Sequence, residues 1–479
     1  MFLKRALLYI NILFVVFTNI FTITYAQTET TQETTQTEAV TKTEQTSLNI
    51  NAEACILIDA KSGVILYEKN AHERLYPASI TKIMTSLLAF EEGDMSDIIT
   101  HSHNAVFNIG PGSSHIGMDE GEQVKFEDAM YGILLESANE VCMAVAEHID
   151  GTVEKFVERM NKRAEELGCE DTHFANPHGF HDENHYTTCY DMSLITKAAV
   201  ENEDFLKVFS TVDHTIPPTN KNVERPLHNK DKMMRPTSPY YYENIIGGKT
   251  GFHDQALNTL VTYAGKDDIR LITVVMKDNG AALTYSDTVT LMEYGFSLYE
   301  NKTLVSASDY SGSIPVKQNY KDKVYDLGSA SLKISEDYKT EVPSFIDSTK
   351  VTLKPILDNN IQAPVEVGKE IGTLEIYYED YLLGNTQIVA ATGVDAIPQS
   401  ELEHKERMEN LKAFTIKVLK IAGIVTAAFI LLIFILRTFF KIRNSRRRRR
   451  RKVYSYSGRY KSTPPRRKNK KVKYRFKIK

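Results

Sequence analysis

An unbroken apolar run, Ile421 to Leu436, constrains this chain more than any other feature. Ala413 to Leu419 extends it, with Lys417 as the only charge in that extension. Together they reach the roughly 20 residues that a bilayer's hydrocarbon core requires of a spanning helix. Residues 437–479 then carry 21 of the chain's 58 Lys and Arg residues and no Asp or Glu, so the preceding residues set 37 basic groups against 62 acidic ones. The formal net charge of −4 therefore hides two pieces of opposite sign. A basic segment directly after a span marks the cytoplasmic side. The expectation is one membrane helix at 412–436, a basic cytoplasmic tail at 437–479 and the bulk of the chain outside. Positive-inside topology and attraction to anionic lipid account for the Arg446–Lys452 run without invoking nucleic acid.

The other end agrees. Lys4 and Arg5 precede an apolar run to about Ile23, and Thr24-Tyr25-Ala26 supplies a cleavage site. Residues 1–26 read as a signal peptide, with an uncleaved anchor helix as the other reading. Residues 27–48 are nearly all Thr, Gln and Glu, too polar to pack, and read as a disordered spacer. The four cysteines, Cys55, Cys142, Cys169 and Cys189, form no C-x-x-C pair and match neither a metal site nor a small disulfide scaffold. A disulfide stays open; neither a metal nor any other cofactor is expected.

Between these ends the pattern alternates. "ACILIDAKSGVILYEKN" reads as a hairpin turning at Lys61-Ser62-Gly63, and "LNTLVTYAGKDDIRLITVVMKD" as two strands around Gly265–Asp268. Val153, Phe156, Val157, Met160, Ala164 and Leu167 share one helical face, closed by Gly168. Residues 49–300 thus suggest an α+β domain, an antiparallel sheet flanked by helices. Short β-like runs at 301–396 suggest a small all-β domain, and 397–411 a polar helical stalk.

The chemistry begins at "YPASITKIMTS". Pro77 suits a helix's first turn, and Ile80, Ile83, Met84, Leu87 and Leu88 follow the stripe of a helix packed on a core. Ser79 and Lys82, three apart, become neighbours close to apolar packing. An amine held there resists protonation and can act as base towards the hydroxyl. Two further motifs keep it company: Ser137-Ala138-Asn139 after an apolar helical stretch, and Lys249-Thr250-Gly251 ahead of the strand Leu257–Ala264. Taken singly, each has a plain alternative. Ser137 and Asn139 could cap a helix, Lys249 could be a surface charge, Thr250-Gly251 a turn, and His178 and His181 structural.

The ordered set S-x-x-K, S-x-N, K-T-G resembles the penicillin-recognising serine enzymes. More closely, the chain resembles the serine D-alanyl-D-alanine carboxypeptidases, the low-molecular-mass penicillin-binding proteins. "YPASITKIMT", "GSSHIGMDEGEQVKFEDAMYGILLESANE", "FANPHGFHDENHYTTCYDMSLI" and "IQAPVEVGKEIGTLEI" carry the likeness over roughly Asn49 to Ala396. The resemblance implies a β-lactamase/transpeptidase-like domain before the all-β one. It implies Ser79 as nucleophile, Lys82 as base, and Ser137 and Asn139 as further catalytic groups. Substrate would meet Lys249, Thr250, Gly251 and Phe252, with the Ser79 and Phe252 N–H groups as oxyanion hole. The implied substrates are peptidoglycan stem peptides ending in D-Ala-D-Ala, and β-lactams are the implied inhibitors.

Two alternatives remain: a β-lactamase or esterase on the same fold, or a wall-binding protein with little activity. The first needs a water-activating acid that "FANPHGFH" does not show. The second is motivated by departures from the family pattern. Phe252-His253, Ala256-Leu257 and Glu140 differ from it, the anchor is a true span, and Ala281–Asp287 lacks the arginine that the family places near the substrate carboxylate.

Overall fold

A computed structural model describes residues 48–453, with side chains as far as Arg446. The proposed signal segment, nearly all of the polar spacer and the tail beyond Val453 lie outside the described residues. The chain divides into two compact units. One holds the residues up to 310 together with 334–357 and 372–388; the other holds 311–333, 358–371 and everything from 389 onward.

In the first unit the strands are β1 (Ala54–Asp59), β2 (Ile65–Lys69), β3 (Ile98–Thr100), β4 (Gln123–Lys125), β5 (Asp213–Ile216), β6 (Arg225–His228), β7 (Ile245–His253), β8 (Leu257–Lys266) and β9 (Ile269–Asp278). The helices are α1 (Lys82–Glu92), α2 (His103–Phe107), α3 (Phe126–Glu136), α4 (Asn139–Asp150), α5 (Val153–Glu166), α6 (Cys189–Val200), α7 (Glu203–Phe209) and α8 (Ala281–Ser297). Both expected hairpins form, β1–β2 and β8–β9, and with β7 they build an antiparallel sheet of order β2-β1-β9-β8-β7.

Side chains alternate between the faces of a strand, so each face of this sheet recruits its own cover. Ile56, Ile58, Val274 and Met276 join one core with Ile83, Leu87, Phe126 and Val141 from α1, α3 and α4. Leu57 and Leu271, an odd number of positions from these along their strands, meet α8 at Gly295, where a Cβ would stand 2.7 Å from Leu271. The sheet is therefore flanked by helices on both faces.

Register carries a further consequence. Ile56 pairs with Val274, Val274 with Val261, and Val261 with Lys249. Directly opposed residues share a face. Lys249 thus ends a row of three fully buried aliphatic side chains.

From Tyr299 to Ala390 the described chain forms only strands and one 3-10 turn at Ser348–Lys350. Within the first unit Thr352 pairs with Tyr377, and within the second a hairpin pairs Gly312 with Leu332 and Tyr320 with Lys323. The second unit ends in one continuous helix, Gln399–Val453, whose best 18-residue window has a mean hydropathy of 2.7. It is long and apolar enough to cross a membrane. Lys321 and Lys323 pair with Glu406 and Glu409 near its start.

Asp287 on α8 ties down the chain's entry into β1. Its carboxylate accepts from the Asn51 and Ala52 backbone N–H groups at 2.7 and 2.8 Å and from the Asn51 side-chain amide at 2.8 Å. Asp287→Ala leaves these donors unpaired and should cost about 1–3 kcal/mol. A lowered thermal unfolding midpoint of the detergent-solubilised full chain is the expected reading.

Candidate active site

Ser79 sits in a 3-10 turn, Ala78–Thr81, and the α-helix starts only at Lys82. The expected helical neighbourhood of Ser79 and Lys82 survives this change, because a 3-10 turn eclipses residues three apart. Ala78, directly before the serine, has φ 51°. An alanine there is strained and needs its surroundings to hold it. Two contacts do so. Thr81 Oγ1 donates to the Ala78 carbonyl at 2.8 Å and lies 2.8 Å from His185 Nε2. His185 Nδ1 accepts from Ala175 N–H at 3.0 Å, and burial pushes the ring's pKa down to about 3, so Nε2 carries the proton and donates to Thr81. Gly179, φ 84°, supplies the second contact: a Cβ would fall 1.8 Å from the Ala78 carbonyl oxygen.

Lys82 is wholly buried. Its Nζ donates to Ser79 Oγ at 3.0 Å and to the His178 carbonyl at 2.5 Å. Burial lowers its pKa from 10.5 to about 8. This brings a substantial neutral fraction within reach of ordinary pH. His178, expected to be structural, serves through its backbone, and its own ring is held neutral by burial. His181 stacks edge-on with Tyr76, 4.8 Å between ring centroids, and sits beside His253.

Ser137 closes α3 in the left-handed region, φ 61° and ψ 37°, where glycine or asparagine is usual. Its Oγ is buried without a hydrogen-bond partner, as is Oδ1 of Asn139, the first residue of α4. The cap position of α4 is Ala138, and no side chain caps it. Neither Ser137 nor Asn139 thus caps α4.

The K-T-G segment lies ahead of β8, as expected, and is itself part of a strand, β7; Lys249 is 1% exposed, which excludes the turn and surface-charge readings. The cause is the apolar row described above. Burial first, then the Lys82 and Lys230 charges, hold the Lys249 amine well below its ordinary pKa, and Nζ donates to the Thr250 carbonyl at 2.9 Å. At Gly251 a Cβ would stand 2.4 Å from Thr259 Oγ1 and 2.9 Å from Ser79 N, so only glycine lets β7 approach the serine.

These elements enclose a cavity of about 360 Å³. Of the expected residues, Ser79, Ser137, Thr250, Gly251 and Phe252 line it; Lys82, Asn139 and Lys249 do not. Lys230, Lys232, Thr284 and Tyr285, which sequence reasoning missed, line it too. Asp231 was also missed: it is buried, its pKa is pushed up to about 6 by burial, and a Cβ on Gly248 would lie 2.0 Å from its Oδ2. Only the density of charge in Lys230-Asp231-Lys232, just before the apolar Met233-Met234, could have flagged the segment. Among the described residues no cluster of three or more His, Cys, Asp or Glu could hold a metal, and all four cysteines are free and buried. The arrangement offers a hydroxyl beside a partly deprotonated amine, with unpaired polar atoms facing inward. It suits acyl transfer through the serine.

A family model described as D-alanyl-D-alanine carboxypeptidase matches residues 38–280, and one described as penicillin-binding protein 5, C-terminal domain, matches 299–396. D-alanyl-D-alanine carboxypeptidase DacF of Bacillus subtilis is 31% identical over 71% of this chain and 85% of its own length. Penicillin-binding protein 5 from Haemophilus influenzae superposes with a TM-score of 0.53 at 30% identity, covering 73% of this chain and 99% of that one. A peptidoglycan synthesis regulatory factor (PBP3) from Streptococcus pneumoniae shares the fold, with a TM-score of 0.58 at 23% identity over 73% of this chain and 100% of that one.

Gly179→Ala meets both the Ala78 carbonyl and an unfavourable φ. We expect a loss of at least about 2 kcal/mol, read as a lowered unfolding midpoint. Displacement of the Ser79 turn should also slow labelling of that serine by an acylating probe.

Proposed function

The chain belongs to the D-alanyl-D-alanine carboxypeptidase family, and from that premise we propose that it removes the terminal D-alanine from peptidoglycan stem peptides through an acyl-Ser79 intermediate. The observation that carries this reading is the buried Lys82 amine, 3.0 Å from Ser79 Oγ with its pKa lowered to about 8.

Ser79 Oγ attacks the carbonyl of the penultimate residue as its proton passes to Lys82. The Ser79 and Phe252 N–H groups receive the oxyanion; such a donor is typically worth about 3 kcal/mol. The C–N bond breaks, and Ser137 Oγ relays a proton to the departing amine of D-alanine. Asn139 Oδ1 takes a donor from the substrate amide or from Lys82. Water then attacks the ester and gives a proton to Lys82, and Ser79 leaves reprotonated, releasing the shortened peptide. Lys249, behind Thr250, holds that residue's carbonyl through its Nζ. A β-lactam carries a cyclic amide in place of the scissile bond and acylates Ser79 in the same way.

The C-terminal helix holds the enzyme in the membrane, with the catalytic unit on the extracellular face and the basic tail in the cytoplasm. The charge contrast between 437–479 and the rest of the chain supports this orientation.

Two outcomes are expected. Intact mass of the full chain should show a penicilloyl adduct that Ser79→Ala abolishes, together with release of D-alanine from a D-Ala-D-Ala peptide. An adduct without release would favour the weakly active wall-binding reading, and no adduct would remove the serine-enzyme reading altogether. Because the base must be neutral, the acylation rate should rise with pH through about 8 and level off above it. Lys82→Arg, which stays protonated, should lose about 10²-fold or more at every pH.

A further inference from the structure

A substrate ending in a free carboxylate needs a cation near the serine, and three lysines border the cavity or stand behind its wall. Lys249 stands behind the wall, with Nζ committed to the Thr250 carbonyl and burial working against its charge. Lys230 lines the cavity, but its Nζ donates to the Glu136 carbonyl at 2.5 Å and lies 3.8 Å from the Glu136 carboxylate. Lys232 differs from both. It is exposed, it lines the cavity, and among the described residues no hydrogen bond or ion pair engages its Nζ. Its neighbours around the cavity include Thr250 on β7 and Thr284 and Tyr285 on the first turns of α8. Those turns fall within Ala281–Asp287, the stretch that contains no basic residue.

We infer that Lys232, presented by the 3-10 turn Lys232–Met234, is the residue that binds the substrate's terminal carboxylate, with Thr250 beside it. The turn is well suited to presenting a side chain. Asp231 caps it by accepting from Met233 N–H at 2.9 Å, and its own Met233 and Met234 are buried. The backbone is anchored while the long side chain stays free to reach a ligand. Specificity for a free acid over a blocked C-terminus then comes from a segment before β7 instead of from α8. This assignment rests on the peptidase reading above.

The test compares two probes on the full chain in detergent: an N-acylated peptide ending in D-Ala-D-Ala and the same peptide with its C-terminus amidated. Wild type should favour the acid. Lys232→Ala should shrink the acid-to-amide ratio of kcat/KM about 10- to 100-fold, the range of a hydrogen bond to a charged group, mainly through KM for the acid. Lys232→Arg should restore the ratio. Thermal unfolding of the Ala variant should match wild type, since the side chain is exposed. A Lys232→Ala enzyme that keeps the wild-type ratio overturns the assignment and leaves the peptidase reading intact. A wild-type protein that cleaves neither peptide removes the peptidase reading, and this assignment with it.

Discussion

Two amines share one interior. Lys82 and Lys249 are both buried, and the charge of the first lowers the pKa of the second. Water is not there to screen them, so the site cannot hold both fully protonated at a modest energetic cost. Most of what surrounds them follows from that constraint. The His178 carbonyl and Ser79 hydroxyl take the Lys82 hydrogens, and the Thr250 carbonyl takes one from Lys249. Burial, with the Lys230 charge adding to it, is what makes Lys82 a source of neutral base at moderate pH, and that burial is built from fold geometry alone.

The geometry comes from opposite directions. Lys82 is delivered by the start of a helix whose apolar stripe drives it into the core, and Lys249 by the register of a strand whose row is otherwise aliphatic. Neither position could be moved by one residue without losing the site. A one-residue slip of β7 would turn Lys249 to the other face and bring Thr250 into the apolar row.

The sequence made some of this legible and hid the rest, for physical reasons. The hairpins β1–β2 and β8–β9 and the helix α5 show in local periodicity, because their signal spans neighbouring residues. Ser79 and Lys82 show because a spacing of three brings them together in either kind of helix. Lys249 was readable as a motif but not as a buried group, since its burial depends on pairing with Val261, Val274 and Ile56, strands apart in sequence. His185, Asp231 and Lys232 reach the site only through tertiary packing, and the one local hint is the run of charge at Lys230-Asp231-Lys232. Gly179 was visible as a loop glycine, while its reason, the carbonyl of a residue about a hundred positions earlier, was not.

The four thiols bear on a separate matter. All are buried and unpaired, and burial pushes Cys55 and Cys142 up to about 12 and raises Cys169 and Cys189 as well. A thiol that hardly ionises neither exchanges with disulfides nor reacts readily with oxidants. The folded domain therefore has no disulfide to form or to lose, and its thiols stay inert. A cell could carry such a protein unchanged between air and anoxia.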